Sequence, residues 1–405
     1  MKIAVLGYGV VGSGVVELVF KNAASIAKNA KENIEIKYIV DIREFPGNPL
    51  ARLFTKDFEK VLHDKEVETV VEVIGGLNPA YSFVKRSLEA GKNVVTSNKE
   101  LVATYGDELL QIAKDRDVSF MFEASVGGGI PIIRPLYQCL TANRIKRIYG
   151  ILNGTTNYIL SKMITDGNEF SEALSKAQQH GYAEANPAAD IDGLDACRKI
   201  AILGSLAYGS HIDPNLVQTE GIRNLDLKDV KFASSAGYAI KLLGLAQQKE
   251  DGKVYIIVAP FLLDKMANLS NVQGVFNEII VEGDAVGETM FYGRGAGKLP
   301  TASAVVADVI DCCRHKDAKK FLFWSAPKEN AVADFKQEET VFYVRFTGKE
   351  AAEVANVLPV ATVISKDEEF VAILNPMREY DFYEKIATCC DQFDCTLEAK
   401  YRIFK

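Results

Sequence analysis

A doubly wound α/β domain with a parallel sheet, followed by an α+β domain and a C-terminal ferredoxin-like domain, is the fold class the sequence predicts. Three observations carry this expectation. The short apolar stretch 3–6 runs into Gly7-Tyr8-Gly9-Val10-Val11-Gly12 and then into a helical pattern over 13–20. Strand and helix patterns then alternate to residue 122, and the rhythm changes beyond Ile130. Near the carboxyl end they follow the order β-α-β-β-α-β.

The glycine turn is the most specific of these signals. One glycine permits the tight turn, the next lets backbone approach a pyrophosphate, and the third lets helix and strand pack closely. The helix N-terminus then faces the phosphates. Gly7, Gly9, Val10, Val11 and Gly12 are therefore candidate contacts to a dinucleotide, and the domain reads as a Rossmann unit. A second strand, 34–40, ends at Asp41, where such folds hold an acid against the ribose hydroxyls, and Arg43 follows. The acid favours NAD and the arginine favours the 2′-phosphate of NADP, so the pair leaves both coenzymes open. Strands 69–74, 93–96 and 119–122 and helices 79–90 and 106–116 complete residues 1–130, with a helix at about 298–320 expected to return to the domain.

Residues 131–297 read as the second domain, with a strand at 146–152, helices at about 170–180 and 192–208, and short strands at 254–259, 272–277 and 278–282. A charged, Ala-rich stretch, 321–340, looks like a linker. The ferredoxin-like unit, 340–405, carries strands at 342–346, 363–370, 371–374 and 396–401. Its first strand alternates Phe342, Val344 and Phe346 with Tyr343, Arg345 and Thr347. One sheet face is therefore expected to be covered and the other free to pair with a second subunit.

Composition excludes several classes. A chain of 405 residues, 48% hydrophobic and 25% charged, suits two or three compact domains without disorder bias. A net charge of −7 argues against nucleic acid, whose binders concentrate Lys and Arg. No apolar run approaches the roughly 20 residues of a membrane span, and the stretch before the glycine turn is too short for a signal-peptide core, so the expected location is the cytoplasm. Cys139, Cys197, Cys312, Cys313, Cys389, Cys390 and Cys395 show no zinc spacing and read as reduced thiols. His63, His180, His211 and His315 read as surface or packing residues.

Hydride exchange with a dinucleotide needs a group that gives or takes a proton. One candidate is Thr96-Ser97-Asn98-Lys99, just after a parallel strand, where ligands bind in such sheets. A solvated loop lysine is the alternative. Another is the segment from Gly181 to Lys199, rich in carboxylates, in which Asp195 and Lys199 share a helix face. An exposed salt bridge would be the bland reading. The continuation, Ile200-Ala201-Ile202-Leu203-Gly204-Ser205-Leu206-Ala207, is apolar on nearly every face and belongs to a buried helix. Burial lowers a lysine pKa and carboxylates raise it, so the pair can hold a proton poised for transfer. Two glycine-rich segments remain. The stretch 123–131 offers carbonyls and one carboxylate for oxygen ligation of a cation, with a hinge as the alternative. The stretch 291–304 is a glycine turn opening a helix, which brings amides to the cofactor a second time.

From residue 1 to about 320 the chain resembles the homoserine dehydrogenase family. The resemblance is carried by Ser97-Asn98-Lys99, Ile151-Leu152-Asn153-Gly154-Thr155-Thr156-Asn157-Tyr158-Ile159-Leu160, the Gly181 to Lys199 segment, and Tyr292-Gly293-Arg294-Gly295-Ala296-Gly297. It implies reversible conversion of L-aspartate 4-semialdehyde and NAD(P)H into L-homoserine, toward threonine and methionine. It further implies a substrate-binding and dimerisation role for the second domain, in a dimer or tetramer. By the same carry-over Lys199 is the proton donor and Lys99 a second active-site lysine. Asp195 serves both catalysis and substrate binding, Glu184, Asp190 and Thr156 hold the substrate, and Ser97, Lys99 and Gly297 contact the cofactor. Glu123, Val126, Gly128 and Ile130 match a sodium site. Clustered carboxylates suit an ammonium-bearing substrate and a lysine suits its aldehyde oxygen. A dinucleotide sensor on the same fold would need neither lysine, and acyl transfer would need a cysteine with a histidine base, which neither Cys139 nor Cys197 has nearby in sequence. Asn186 departs from the family, many of whose members carry an acid there. The C-terminal unit resembles a regulatory ACT domain, with Gly348-Lys349-Glu350-Ala351-Ala352 in place of the usual Pro-Gly pair. Residues 340–405 are expected to assist assembly or modulate activity rather than carry catalysis.

Overall fold

Strands buried on both faces have no use for a polar alternation, and β1 (Lys2–Leu6) buries Ile3, Ala4, Val5 and Leu6 completely. It lies inside a six-stranded parallel sheet with β2 (Glu35–Val40), β3 (Phe54–Thr55), β4 (Val67–Glu72), β5 (Asn93–Thr96) and β6 (Phe120–Met121). The order is β3-β2-β1-β4-β5-β6, the doubly wound arrangement that reverses direction between β1 and β4. A computed structural model describes residues 1–316, 322–367 and 369–405. The chain divides into two compact units, one of Met1–Ile148, Ala201–Leu216 and Ile279–Ala331, the other of Tyr149–Ile200, Val217–Glu278 and Val332–Lys405.

In the first unit the helix Val10–Lys21 packs against the returning helix Lys298–Arg314. Gly14 makes this possible: a Cβ there would stand 2.8 Å from the Lys298 carbonyl oxygen. Glu17 and Lys298 close the contact with an ion pair of 2.7 Å. The returning helix ends sooner than the sequence pattern implies; positions 317–320 lie outside the described residues. The helix expected at 106–116 starts at Lys99 instead, because Asn98 caps it by accepting the Leu101 N–H. The stretch expected as a linker, 321–340, is packed at the start of its described part and exposed and irregular over 326–330. Leu322 and Trp324 are buried, and the indole meets Phe122 edge-on at 5.5 Å and fills the space beside Gly106. Residue 321 lies outside the described residues.

In the second unit Tyr238–Gln248 and Val254–Asp264 form a long antiparallel pair. The sheet continues through Thr396–Ile403, Glu339–Thr347, Phe370–Leu374 and Val360–Ser365. These last four strands stand in the order fourth, first, third, second, all antiparallel, which is the ferredoxin-like plan. Its first crossover is a short 3-10 turn, Ala351–Asn356, and its second a full helix, Glu379–Gln392. The strand boundary expected at 370/371 falls before Phe370, and Glu368 lies outside the described residues. Elsewhere, the two strands expected at 272–277 and 278–282 are one, Phe276–Gly283, and Gly287–Arg294 is a further strand. All seven cysteines are free, four of them buried. Among the described residues no single helix is long and apolar enough to cross a membrane.

The expectation that one face of the C-terminal sheet stays free is also overturned. Phe342, Val344 and Phe346 line the apolar core, but Tyr343 and Arg345 on the opposite face are buried as well. The Arg345 guanidinium holds Asp229 of the helix Leu227–Ser235 through two hydrogen bonds, 2.7 and 3.0 Å, and Tyr343 donates to the same carboxylate at 2.9 Å. Arg402 pairs with Glu379 at 2.6 Å and with Glu220 at 2.8 Å. The C-terminal sheet is therefore built into the second unit.

A buried carboxylate stripped of its partner keeps its desolvation cost. Arg345→Met is thus expected to destabilise the protein by about 3–5 kcal/mol, and Arg345→Met with Asp229→Leu to recover most of that loss, both read by urea unfolding. Burial pushes the Glu220 carboxyl up, but Arg402 by hydrogen bond and charge, with Lys400, carries it from 4.5 down to about 2. A depressed carboxyl contributes stability above its unfolded pKa that is lost as pH falls through the folded value. At about 1.4 kcal/mol per unit this amounts to about 3 kcal/mol, so Glu220→Gln should flatten the loss of stability between about pH 5 and about pH 2. An acid unfolding series on both proteins checks it.

Candidate active site

The turn after β1 is shaped by contacts that no side chain could share. Gly7 sits at φ +98°, and a Cβ on Gly12 would lie 1.9 Å from the Gly7 carbonyl oxygen, so helix and strand meet at backbone distance. Gly9 is the opposite case, with no atom within 4 Å of its Cβ position. Beside it Val10 is exposed and Val11 half-buried at the start of the helix. This leaves an open cradle at a helix N-terminus, where amide N–H groups and the helix dipole favour phosphate. The residues present fit a dinucleotide.

Asp41, just past β2, accepts the Tyr8 N–H at 2.7 Å and a two-pronged contact from Arg43 at 2.8 and 2.9 Å. The Arg43 guanidinium holds the Asp41 carboxyl well below the usual carboxylate range. The acid and the base that point to different coenzymes are thus one hydrogen-bonded pair.

At the carboxyl ends of β4 and β5, Glu72 organises two loops. Its carboxylate accepts the Ile74 N–H at 2.7 Å and the Thr96 hydroxyl at 2.6 Å, while the Thr96 oxygen accepts the Asn98 N–H at 2.9 Å. Asn98 donates to the Gly76 carbonyl at 2.6 Å and caps the helix that begins at Lys99. Ser97 and Lys99 are therefore carried on a fixed loop. Burial pushes the Glu72 carboxyl up. Sequence reasoning passed over Glu72, although a charge inside Val70-Val71-Glu72-Val73 was a signal. Gly297, at φ +123°, opens the helix Lys298–Arg314 in this same unit.

Glu123, Val126, Gly128 and Ile130 share a buried loop whose Gly129 N–H donates to the Arg294 carbonyl at 3.1 Å. The Glu123 carboxylate is committed to the chain itself: it accepts the N–H groups of Ile132, Ile133 and Arg134 at 2.6, 2.9 and 2.8 Å. With the carboxylate so occupied, the loop's main-chain carbonyls are the oxygens that remain to be considered for a cation. Among the described residues no group of three or more His, Cys, Asp or Glu side chains is arranged to hold a metal.

The second unit gathers most of the expected substrate residues around Asn153. This residue follows the strand Ile145–Ile151 by two positions and caps the helix Gly154–Asp166, its Oδ1 accepting the Thr156 N–H at 2.8 Å and the Thr156 hydroxyl at 3.0 Å. With the oxygen so placed, Nδ2 faces two carboxylates and donates to Asp190 at 2.7 Å and Asp195 at 2.9 Å. Asp195 pairs with Lys199 at 2.9 Å, and the ammonium also donates to the Leu152 carbonyl at 2.8 Å. Lys199 and Asp195 are only 7% and 4% exposed, which removes the surface salt bridge as a reading. Burial, and then the charge of Asp195, push the Asp190 carboxyl up. Glu184 stands apart: it is exposed, and among the described residues no hydrogen bond ties its carboxylate into this group. Asn153 was quoted in the sequence motif without a role, because a cap that also bridges two acids is visible only in three dimensions.

Comparison with known proteins agrees with both halves of this arrangement. Residues 131–310 match the family described as "Homoserine dehydrogenase", and residues 7–123 match "Homoserine dehydrogenase, NAD binding domain". A homoserine dehydrogenase of Synechocystis is 46% identical over 318 residues, 77% of this chain and 73% of the relative. One from Pseudomonas aeruginosa is 40% identical over 374 residues, 90% and 86% of the two chains. The crystal structure of a homoserine dehydrogenase from Thiobacillus denitrificans superposes with a TM-score of 0.94 at 35% identity, covering 100% of this chain and 98% of that one. A hyperthermophilic archaeal homoserine dehydrogenase in complex with NADPH gives 0.65 at 26% identity, covering 79% and 99%. The chain belongs to the homoserine dehydrogenase family.

Proposed function

We propose that Lys199 is the proton donor of a homoserine dehydrogenase that reduces L-aspartate 4-semialdehyde to L-homoserine with NAD(P)H, reversibly, on the way to threonine and methionine. The observation that carries this reading is the buried Lys199–Asp195 pair beside Asp190, tied together by Asn153. The nicotinamide supplies the hydride when bound. Lys199 then has the task of handing a proton to the aldehyde oxygen, and of taking it back when homoserine is oxidised. Two of its three N–H donors are engaged by Asp195 and Leu152, which fixes the direction of the third.

Asp190 and Asp195 offer negative charge to the substrate ammonium, with Thr156 at the same helix start and Glu184 supplied from the exposed loop. Gly7, Gly9, Val10, Val11, Gly12 and Gly297 hold the dinucleotide through backbone, Asp41 and Arg43 read its ribose, and Ser97 and Lys99 approach it from the loop that Glu72 fixes. Glu123, Val126, Gly128 and Ile130 would hold a sodium ion through their carbonyls, and such an ion would stiffen the buried loop. The enzyme acts on a small molecule. Its expected setting is the cytoplasm, as a homo-oligomer, dimer or tetramer, and the exposure of Met290 and Tyr292 on the strand Gly287–Arg294 supports assembly.

Lys199→Ala is expected to lower kcat by about 10² to 10⁴, measured as reduced-nicotinamide absorbance with homoserine as substrate; near-normal turnover in the folded variant would remove Lys199 from the mechanism. Arg43→Ala should raise KM for NADP by about ten- to a hundredfold, the worth of a hydrogen bond to a charged group, and KM for NAD far less. Equal changes for the two coenzymes would show that Arg43 meets no 2′-phosphate.

A further inference from the structure

The carboxylates of the substrate group have a second layer behind them. Asp190 and Asp195 lie on either side of Gly193, in a segment whose backbone rests on residues 219–223. The Ile222 N–H donates to the Ile191 carbonyl at 2.8 Å, and Arg223 grips Asp192 with two hydrogen bonds of 2.8 and 2.7 Å. At Gly221 the two backbones touch: a Cβ would stand 2.2 Å from the Ile191 carbonyl oxygen and 2.5 Å from the Asp192 Cα. The next residue back, Glu220, turns the other way. Its N–H donates to the Val258 carbonyl at 2.7 Å and its carboxylate accepts from Arg402 at 2.8 Å. Arg402 is 1% exposed, is held by Glu379 through two further hydrogen bonds of 2.6 and 2.8 Å, and sits in register with Phe261.

We propose that Arg402 and Glu220 are positioning residues for substrate, acting through Gly221 on the segment that presents Asp190 and Asp195. The inference rests on the reading of Asp190 and Asp195 as the substrate's carboxylates. Arg402 fixes the Glu220 side chain and Glu220 fixes the adjoining peptide. Gly221, with no Cβ to hold the backbones apart, passes that placement directly to Ile191 and Asp192. A buried arginine hydrogen-bonded to a half-buried carboxylate is well suited to this task, because the geometry is narrow and a loosened partner is costly. The ferredoxin-like unit thereby takes part in substrate recognition without touching the substrate, which goes further than the assembly role read from sequence.

The test is steady-state homoserine oxidation by the full chain carrying Glu220→Gln, Arg402→Lys or Gly221→Ala, with Asp190→Asn alongside. A displacement of about 1 Å costs up to about a hundredfold, so the homoserine KM should rise about ten- to a hundredfold in the first three variants, with the coenzyme KM unchanged. A residue that only held the fold together would lower the active fraction, and so the apparent kcat, while moving neither KM. Should Arg402→Lys fail to fold, Glu220→Gln, at a partly exposed side chain, gives the same reading. If Asp190→Asn raises the homoserine KM and the other variants do not, the positioning role is overturned and the substrate reading stands. If Asp190→Asn leaves it unchanged, both fall.

Discussion

Asn153 has one side-chain amide, and three groups converge on it. Its oxygen must face the helix start at Thr156, since the N–H and hydroxyl there are both donors. Its nitrogen is thereby turned toward Asp190 and Asp195 and keeps two carboxylates, one half-buried and one buried, at hydrogen-bond distance from one group. Neither an aspartate nor a leucine, each close in size, could do both: the first lacks the donors and the second lacks everything. The position of Asp195, and through it the direction of the Lys199 ammonium, follows from this one residue.

A single economy of charge runs through the second unit. Several of its buried and half-buried ions occur in groups of mixed sign: Asp190 and Asp195 with Lys199, Asp229 with Arg345, Glu220 and Glu379 with Arg402. Isolated, each would carry a desolvation cost of several kcal/mol. In groups, each fixes the geometry of its neighbours more tightly than apolar packing does, because hydrogen-bond angles are narrow where van der Waals contact is permissive. Lys241, fully buried between the Asn157 side chain and the Val272 carbonyl, is the contrast: burial alone brings it down to about 8.

Much of the first unit was legible in the sequence, since a parallel sheet is written as apolar runs separated by helices, and Asn93–Thr96 agrees to the residue. The second unit hid more. The helix Gly154–Asp166 opens with Gly-Thr-Thr-Asn, all weak helix formers, and is buried on most sides, so neither propensity nor periodicity announces it. Tyr238–Gln248 is likewise buried over most of its length, and its Leu-Leu-Gly-Leu-Ala run has no two-residue alternation. Trp324 shows the converse failure, one aromatic anchor inside a stretch whose composition resembles a tether. At the site, the acids and lysines were readable as residue types in a motif; which acid faces which base was not, because Leu152, Asn153 and Lys199 meet only after two turns of chain geometry far apart in sequence.

The contact between Val10–Lys21 and Lys298–Arg314 has a kinetic side. Glu17 and Lys298 are 281 residues apart, so the helix that covers the first sheet emerges long after that sheet has been made. At roughly 5–20 residues per second of synthesis the interval is on the order of tens of seconds, far longer than a sheet or helix needs to form. Throughout it, the surface around Gly14, shaped to receive another backbone, is bare and apolar. The nascent chain therefore passes through a long-lived half-covered state, in which protection from aggregation depends on what surrounds the ribosome rather than on the sequence already made.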